Sequence, residues 1–171
     1  MYNYPMQNLN DLCAEIGRIL TEKDFFLATA ESCTGGRIGD LITSVPGSSD
    51  YYLGGFISYS NAAKTRWLGV PPETLERHGA VSRETVLAMA EGARRAFGDA
   101  TPAERIISIS VSGIAGPDGG TPRKPVGTVW IAVSGAGGTR ADHYLFEGCR
   151  REIKTESAQQ ALENLLTYLR E

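Results

Sequence analysis

Ser32 and Lys64 are the two residues whose types and settings could do covalent chemistry in this chain. Ser32 sits in Ala30-Glu31-Ser32-Cys33-Thr34-Gly35-Gly36, between an apolar, β-prone run (residues 25–30) and an amphipathic run (residues 37–43). A small nucleophile is thereby set on a strand-to-helix turn, with glycines that let the backbone come close to a ligand. Helix N-termini carry unpaired N–H groups and a positive dipole end, so such a turn suits an anion or a developing oxyanion. Capping of the helix by Ser32 and Thr34 is the competing explanation. Lys64 belongs to a second cluster, Tyr59-Ser60-Asn61-Ala62-Ala63-Lys64, again where a strand end runs into a helix. A serine hydroxyl needs a base to become nucleophilic at neutral pH. Of the two histidines, His78 falls in a polar loop beside Gly79 and His143 on an outer strand, which leaves the Ser-His-Asp arrangement weak. Lys64 is the better base. Burial or cationic neighbours would have to bring its pKa from about 10.4 towards 7, a shift of roughly 4 kcal/mol; a solvated helix lysine is the alternative. Cys33 is the rival nucleophile, read here as a packing residue.

A third cluster, Gly113-Ile114-Ala115-Gly116-Pro117-Asp118-Gly119-Gly120, directly follows the cleanest strand pattern of the chain. Glycines at this density permit positive φ and successive inward-facing N–H groups, the geometry of an anion nest. The segment lacks the Gly-Lys-Ser/Thr ending of a Walker loop and the Gly-x-Gly-x-x-Gly spacing of a dinucleotide fingerprint. It reads as a phosphate-binding loop or a mobile surface loop. Lys124-Pro125-Val126-Gly127-Thr128 re-enters the sheet beside it and could add contacts. Asp118 alone, without His or Cys partners, is thin support for a metal, and none is expected.

These clusters need elements to position them. Leu9, Leu12, Cys13, Ile16, Ile19 and Leu20 recur at helical spacing and predict a helix over residues 10–22. Residues 25–30 read as a strand, 36–43 as a helix, and 51–59 as a long strand bent at Gly54-Gly55. Helices follow over 60–67 (capped by Ser60 or Asn61), from Pro71-Pro72, and over 82–96. Ile106, Ile107, Ile109 and Val111 make residues 105–111 a strand; 126–133 and 140–146 form a hairpin, and 150–169 a last helix. Residues 113–127 are the one long stretch without secondary structure, and such loops tend to be functional. Helices and strands mixed at these lengths predict an α/β fold, a three-layer α/β/α sandwich with a mixed sheet in a single domain over residues 1–171, core about 9–169. The hairpin makes an all-parallel sheet unexpected.

Composition narrows the function. With 171 residues and 42% hydrophobic content, one well-filled domain is expected. A formal net charge of −3 argues against nucleic acid, which normally needs a basic face. Three cysteines, odd in number and widely spaced, fit a reduced cytoplasmic protein better than a disulfide framework. Residues 1–10 have neither a basic n-region nor an apolar h-region, so no signal peptide is read there, and no apolar run is long enough to span a bilayer. Tyr51, Tyr52 and Phe56 suggest more apolar strand surface than one sheet can cover, hence a homodimer.

Taken together, Thr29 through Gly36, Ile57-Ser58-Tyr59-Ser60-Asn61 through Lys64, Ser112-Gly113-Ile114-Ala115-Gly116-Pro117 with Gly119-Gly120, and Gly127-Thr128-Val129 resemble the CinA C-terminal domain family. This family is also described as the competence/damage-inducible protein C-terminal domain, and its enzymes are nicotinamide-nucleotide amidases. The resemblance runs from about residue 9 to 169, in order and without large gaps. Relatives often carry an additional N-terminal molybdopterin-binding-like domain, so this chain looks like the stand-alone form. The resemblance implies hydrolysis of the carboxamide of nicotinamide mononucleotide to nicotinate mononucleotide and ammonia, without metal or cofactor. It implies Ser32 as nucleophile, Lys64 as base and Tyr59 between them. Substrate contacts are expected from Cys33, Thr34, Gly35 and Gly36, from Ser112, Gly113, Ile114, Ala115, Gly116, Gly119 and Gly120, and from Arg150. The last lies in Phe146-Glu147-Gly148-Cys149-Arg150, similar to a family segment written Phe-x-Gly-Asp-Arg. Cys149 stands where aspartate is usual and Ser112 where threonine is usual. A nucleotide-binding module without catalysis, or an amidase of another small nucleotide, are the competing functions.

Overall fold

The structure, a computed structural model, describes residues 9–171, so the reading that segment 1–10 holds no signal peptide falls almost wholly outside the described residues. Five strands form one sheet in the order β2-β1-β3-β4-β5: β1 (Phe26–Glu31), β2 (Tyr52–Ile57), β3 (Ile106–Gly113), β4 (Thr128–Gly135) and β5 (Gly138–Leu145). β1 is parallel to both β2 and β3, while β4 and β5 run antiparallel as a hairpin on the far side of β3. The mixed sheet expected from the hairpin is therefore present. The bend expected at Gly54-Gly55 is a bulge, in which β1's partners step from Tyr52 to Gly54, and Gly54 takes a φ of 128° that suits glycine.

β3 is why the sheet carries helices on both faces. Ile107, Ile109 and Val111 point to one side and pack with α1 (Leu9–Glu22), α2 (Arg37–Thr43) and α6 (Arg150–Arg170) in the main core. Ser108, Ser110 and Ser112 alternate to the other side. The first two donate from buried hydroxyls to the Ala90 and Val86 carbonyls of α5 (Arg83–Phe97), at 2.6 Å each. Ser112 donates to the Ala80 carbonyl at 2.7 Å, in the turn before that helix. The hydroxyls thus fix α5 along the strand, where Met89, Ala90 and Ala93 lie close to it. α3 (Asn61–Leu68) and α4 (Pro72–His78) complete this layer.

Each helix start follows its local chemistry. The Ser60 hydroxyl accepts the Ala63 N–H and the Ser82 hydroxyl accepts the Thr85 N–H, two N-caps that stop the preceding segments. Ser60, and not Asn61, is the cap of α3. His78 ends α4 rather than lying in a loop, and both it and His143 are exposed.

Part of the aromatic surface from which a homodimer was expected is covered within the chain. Tyr51 is buried in the main core, while Tyr52 and Phe56 are half-buried, the latter packed at a tilt on Phe97. Among the described residues, the large apolar side chains left exposed are Ile57, Tyr59, Trp67 and Leu145. No helix of the described residues is long and apolar enough to cross a membrane.

Candidate active site

The parallel register brings Glu31, Ile57 and Val111 level with one another, so the carboxyl ends of β1, β2 and β3 share one edge of the sheet. From β1 the chain proceeds to one neighbour and later to the other. Such a switch point is where open α/β sheets bind ligands. A cavity of about 250 Å³ opens there, lined by Ser32, Cys33, Tyr59, Lys64, Ala80, Val81, Ser112, residues 113–116, Asp118, Gly119 and Arg150.

Ser32 is held from behind: its N–H donates to the Val111 carbonyl at 3.0 Å, an extension of the sheet ladder. Lys64, the fourth residue of α3, reaches it with Nζ 3.0 Å from Ser32 Oγ. The other two neighbours of Nζ are carbonyl oxygens, Ser58 at 2.8 Å and Tyr59 at 3.4 Å. All three are neutral, and no carboxylate pairs with Lys64 among the ion pairs of the described residues. Lys64 is 1% exposed. Burial without a counter-charge disfavours its ammonium form and lowers its pKa from 10.5 to about 8. A neutral amine has two N–H donors and one lone pair. With the donors on the two carbonyls, the lone pair is left for the serine hydroxyl.

Cys33 also lines the cavity but is chemically quiet. Burial pushes its thiol up to about 12, so it stays protonated over the working range of Lys64. Tyr59 departs from the expected role between Ser32 and Lys64. Its hydroxyl accepts from Arg150 Nη2 at 2.9 Å, and only its backbone carbonyl meets Lys64. Its ring is exposed, because the strand has ended at Ile57 and the chain turns outward before α3.

The turn after Ser32 differs from the anion cradle expected of it. Its helix-starting N–H groups are occupied: Glu31 Oε2 accepts those of Gly36 and Ile38 at 2.9 and 3.2 Å, and Oε1 accepts that of Gly39 at 2.9 Å. Thr34, Gly35 and Gly36 accordingly lie outside the cavity lining, as does Gly120. Sequence reasoning passed over Glu31. The available signal was a carboxylate ending an apolar strand, since such a group is almost never buried unless paired.

The loop of residues 113–127 is tied down rather than mobile. Ile114 and Gly127 are bonded across it, Ile114 N–H to Thr128 at 2.9 Å and Gly127 N–H to Ile114 at 2.8 Å. Lys124 Nζ donates to the carbonyls of His78 and Val81 at 2.8 and 2.7 Å, fastening the loop to the turn that supplies Ala80 and Val81. Arg150, the first residue of α6, donates to the Gly116 carbonyl at 2.7 Å. Close approach accounts for part of the glycine content: at Gly116 (φ 77°) a Cβ would come within 2.6 Å of a Val126 methyl. Among the hydrogen bonds of the described residues, none is donated by the N–H of Ala115, Gly116 or Gly119, three groups that border the cavity. Asp118 lies at the cavity rim, and no group of three His, Cys, Asp or Glu side chains suited to a metal occurs among the described residues.

Ser112 and Cys149, where departures were expected, have simple settings. Ser112 offers the same hydroxyl as a threonine would, and uses it on Ala80. Cys149 is the N-cap of α6, where its N–H meets the Glu152 carboxylate at 2.7 Å.

Comparison with known proteins fits this architecture. A family model described as the CinA C-terminal domain matches residues 9–169. A CinA-like protein of Gemmatimonas aurantiaca is 51% identical over 156 residues, covering 91% of this chain and 35% of the relative. One of Syntrophotalea carbinolica is 46% identical over 158 residues, covering 92% and 37%. The chain thus spans about a third of the length of the curated relatives it matches. Among solved structures, the competence/damage inducible protein CihA of Agrobacterium tumefaciens superposes with a TM-score of 0.87 at 38% identity, covering 100% of both chains. A competence-damaged protein (CinA) superfamily protein of Enterobacter cloacae gives 0.88 at 35% identity, covering 99% of this chain and 96% of that one.

Proposed function

The chain belongs to the CinA C-terminal domain family, and on that premise we propose that it is a nicotinamide-nucleotide amidase using Ser32 as nucleophile and Lys64 as base. The observation that carries this reading is the buried contact between Lys64 Nζ and Ser32 Oγ at 3.0 Å, with a lysine pKa lowered to about 8. An uncharged amine beside an alcohol is what a serine needs to attack an amide near neutral pH.

In the proposed reaction Lys64 takes the Ser32 hydroxyl proton as Oγ bonds to the carboxamide carbon of nicotinamide mononucleotide. The carbonyl electrons move to oxygen, and loop N–H groups such as those of Ala115 and Gly116 are the donors available for that charge; one such donor is typically worth about 2.7–4 kcal/mol. Collapse of the intermediate breaks the C–N bond, and Lys64 returns its proton to the leaving nitrogen as ammonia. Water then attacks the acyl-enzyme, its proton passes to Lys64, and Ser32 leaves with a proton restored, giving nicotinate mononucleotide. The 5′-phosphate is placed on the glycine loop and Arg150, so that binding at one end of the substrate holds the amide at the other.

The test is ammonia release from the purified chain supplied with nicotinamide mononucleotide, with nicotinate mononucleotide formed in equal amount. Saturable binding with no ammonia would instead make the domain a nucleotide-binding module. Arg150→Ala checks the phosphate assignment. Loss of a charged hydrogen bond of about 1.5–3 kcal/mol should raise KM about ten- to a hundredfold while kcat stays within about threefold. An unchanged KM would move the phosphate elsewhere in the cavity.

A further inference from the structure

We propose that Glu31 is a positioning residue for the nucleophile: by drawing three N–H groups onto the end of β1, its carboxylate fixes the path of residues 32–35 and so aims Ser32 Oγ at Lys64. The proposal rests on the reading of Ser32 as nucleophile, and it assigns Glu31 no contact with substrate.

The geometry is specific to this carboxylate. Glu31 is 2% exposed, and no cation pairs with it among the ion pairs of the described residues. Both of its oxygens are engaged by peptide donors, Oε2 by Gly36 and Ile38 and Oε1 by Gly39. Its own carbonyl accepts the Ser58 N–H at 2.8 Å, on the segment whose carbonyl in turn holds Lys64. Ser32 follows directly, with its N–H on Val111. The nucleophile therefore lies on a short span of chain closed at both ends, by the sheet before it and by the carboxylate's partners after it. One residue touches the supports of both reacting side chains.

Glutamate is the one side chain that meets these demands. Three donors need two acceptor oxygens, and glutamine would present an NH2 group to at least one N–H. Aspartate is a methylene too short to keep the same span. The helix is also as near as it can come. A Cβ on Gly39 would lie 3.0 Å from Tyr52 Oη and 3.6 Å from Glu31 Oε1, and Tyr52 Oη is itself bonded to Thr29 Oγ1 at 2.8 Å.

The experiment compares Glu31→Gln with the wild type in two assays, well below the melting temperature of each. The first is covalent labelling by an arylsulfonyl fluoride, with the modified residue identified by mass spectrometry. The second is steady-state ammonia release from nicotinamide mononucleotide. The expected result is a labelling rate at Ser32 about a hundredfold lower, with kcat reduced to a similar degree and KM within about threefold. A merely structural glutamate would lower the melting temperature and the folded fraction while leaving both rates unchanged per folded molecule, and that outcome overturns the proposal. If the wild type is labelled at Ser32 yet releases no ammonia, the amidase reading fails while the labelling comparison still decides the role of Glu31. If the wild type is not labelled at Ser32, both fall. Should Glu31→Gln not fold, Glu31→Asp replaces it: one methylene shorter, it keeps the charge but cannot reach all three N–H groups. Its labelling rate should drop about three- to tenfold, and a wild-type rate would overturn the proposal.

Discussion

Ser32→Ala should lower ammonia release by about 10⁴-fold or more while the dissociation constant for nicotinamide mononucleotide stays within about threefold. A nucleophile that forms a covalent intermediate has no partial substitute, and removing one member of such a unit typically costs nearly the whole chemical step. Binding should survive, because the proposed phosphate and loop contacts are made by Arg150 and residues 113–119 and not by the hydroxyl. The fold should survive too: Lys64 keeps its contacts with the Ser58 and Tyr59 carbonyls, and a single lost hydrogen bond costs about 0.5–1.5 kcal/mol. Isothermal titration and single-turnover assays on the same preparation separate the two effects. Activity within tenfold of the wild type would remove the covalent step and leave Lys64 activating water directly. It would not transfer the role to Cys33, whose buried thiol is held protonated up to about 12.

Lys64→Met should be equally inactive and, at pH 7, more stable than the parent. Lowering the pKa from 10.5 to about 8 means that the charged amine is disfavoured in the fold by about 3 kcal/mol. The sign follows from proton binding. Below pH 8 lysine is protonated in folded and unfolded chains alike, and the fold bears the full cost. Between about 8 and 10.5 the unfolded chain binds the extra proton, so stability contributed by this group rises with pH and the cost fades. Methionine removes the cost but leaves the Ser58 carbonyl without its donor, for a net gain of about 1 kcal/mol and a melting temperature higher by about 2–4 °C. That gain should shrink as the pH approaches 10.5, and calorimetry across the range measures it. The same pKa governs the rate. About a tenth of Lys64 is neutral at pH 7 and most of it at pH 9, so kcat/KM in the wild type should climb about tenfold across that interval. A profile flat from pH 7 to 9 would exclude Lys64 as the titrating base.

The fold was legible because local and global signals agreed along the chain. The isoleucines of β3 and the apolar face of α6 predict buried elements, and Ile107, Ile109, Leu162 and Leu165 meet in the main core. Boundaries slipped where a residue type misled. Val126 looks like strand but belongs to the loop, and β4 starts at Thr128. The chemistry of the cavity was legible only as residue types at strand ends. That Lys64 faces inward was not, because α3 is short and barely amphipathic, and half a turn of rotation about its axis would have put the amine in water. The Ser112–Ala80 and Lys124–Val81 bonds join residues more than thirty positions apart, and no spacing rule anticipates such pairs. Glu31 was missed for a related reason. Its partners are backbone N–H groups, which leave no trace in residue identity.

The protonated thiol of Cys33 has a consequence for how the protein meets chemical stress. Oxidants and alkylating agents attack thiolates, and hydrolases built on a reactive cysteine stop when that sulfur is capped. Here the sulfur beside the alcohol is buried and inert, and the exposed thiol is Cys149, at the start of α6. Iodoacetamide should therefore mark Cys149 and leave Cys33 untouched in the folded chain, so a peroxide burst would spare the reacting pair.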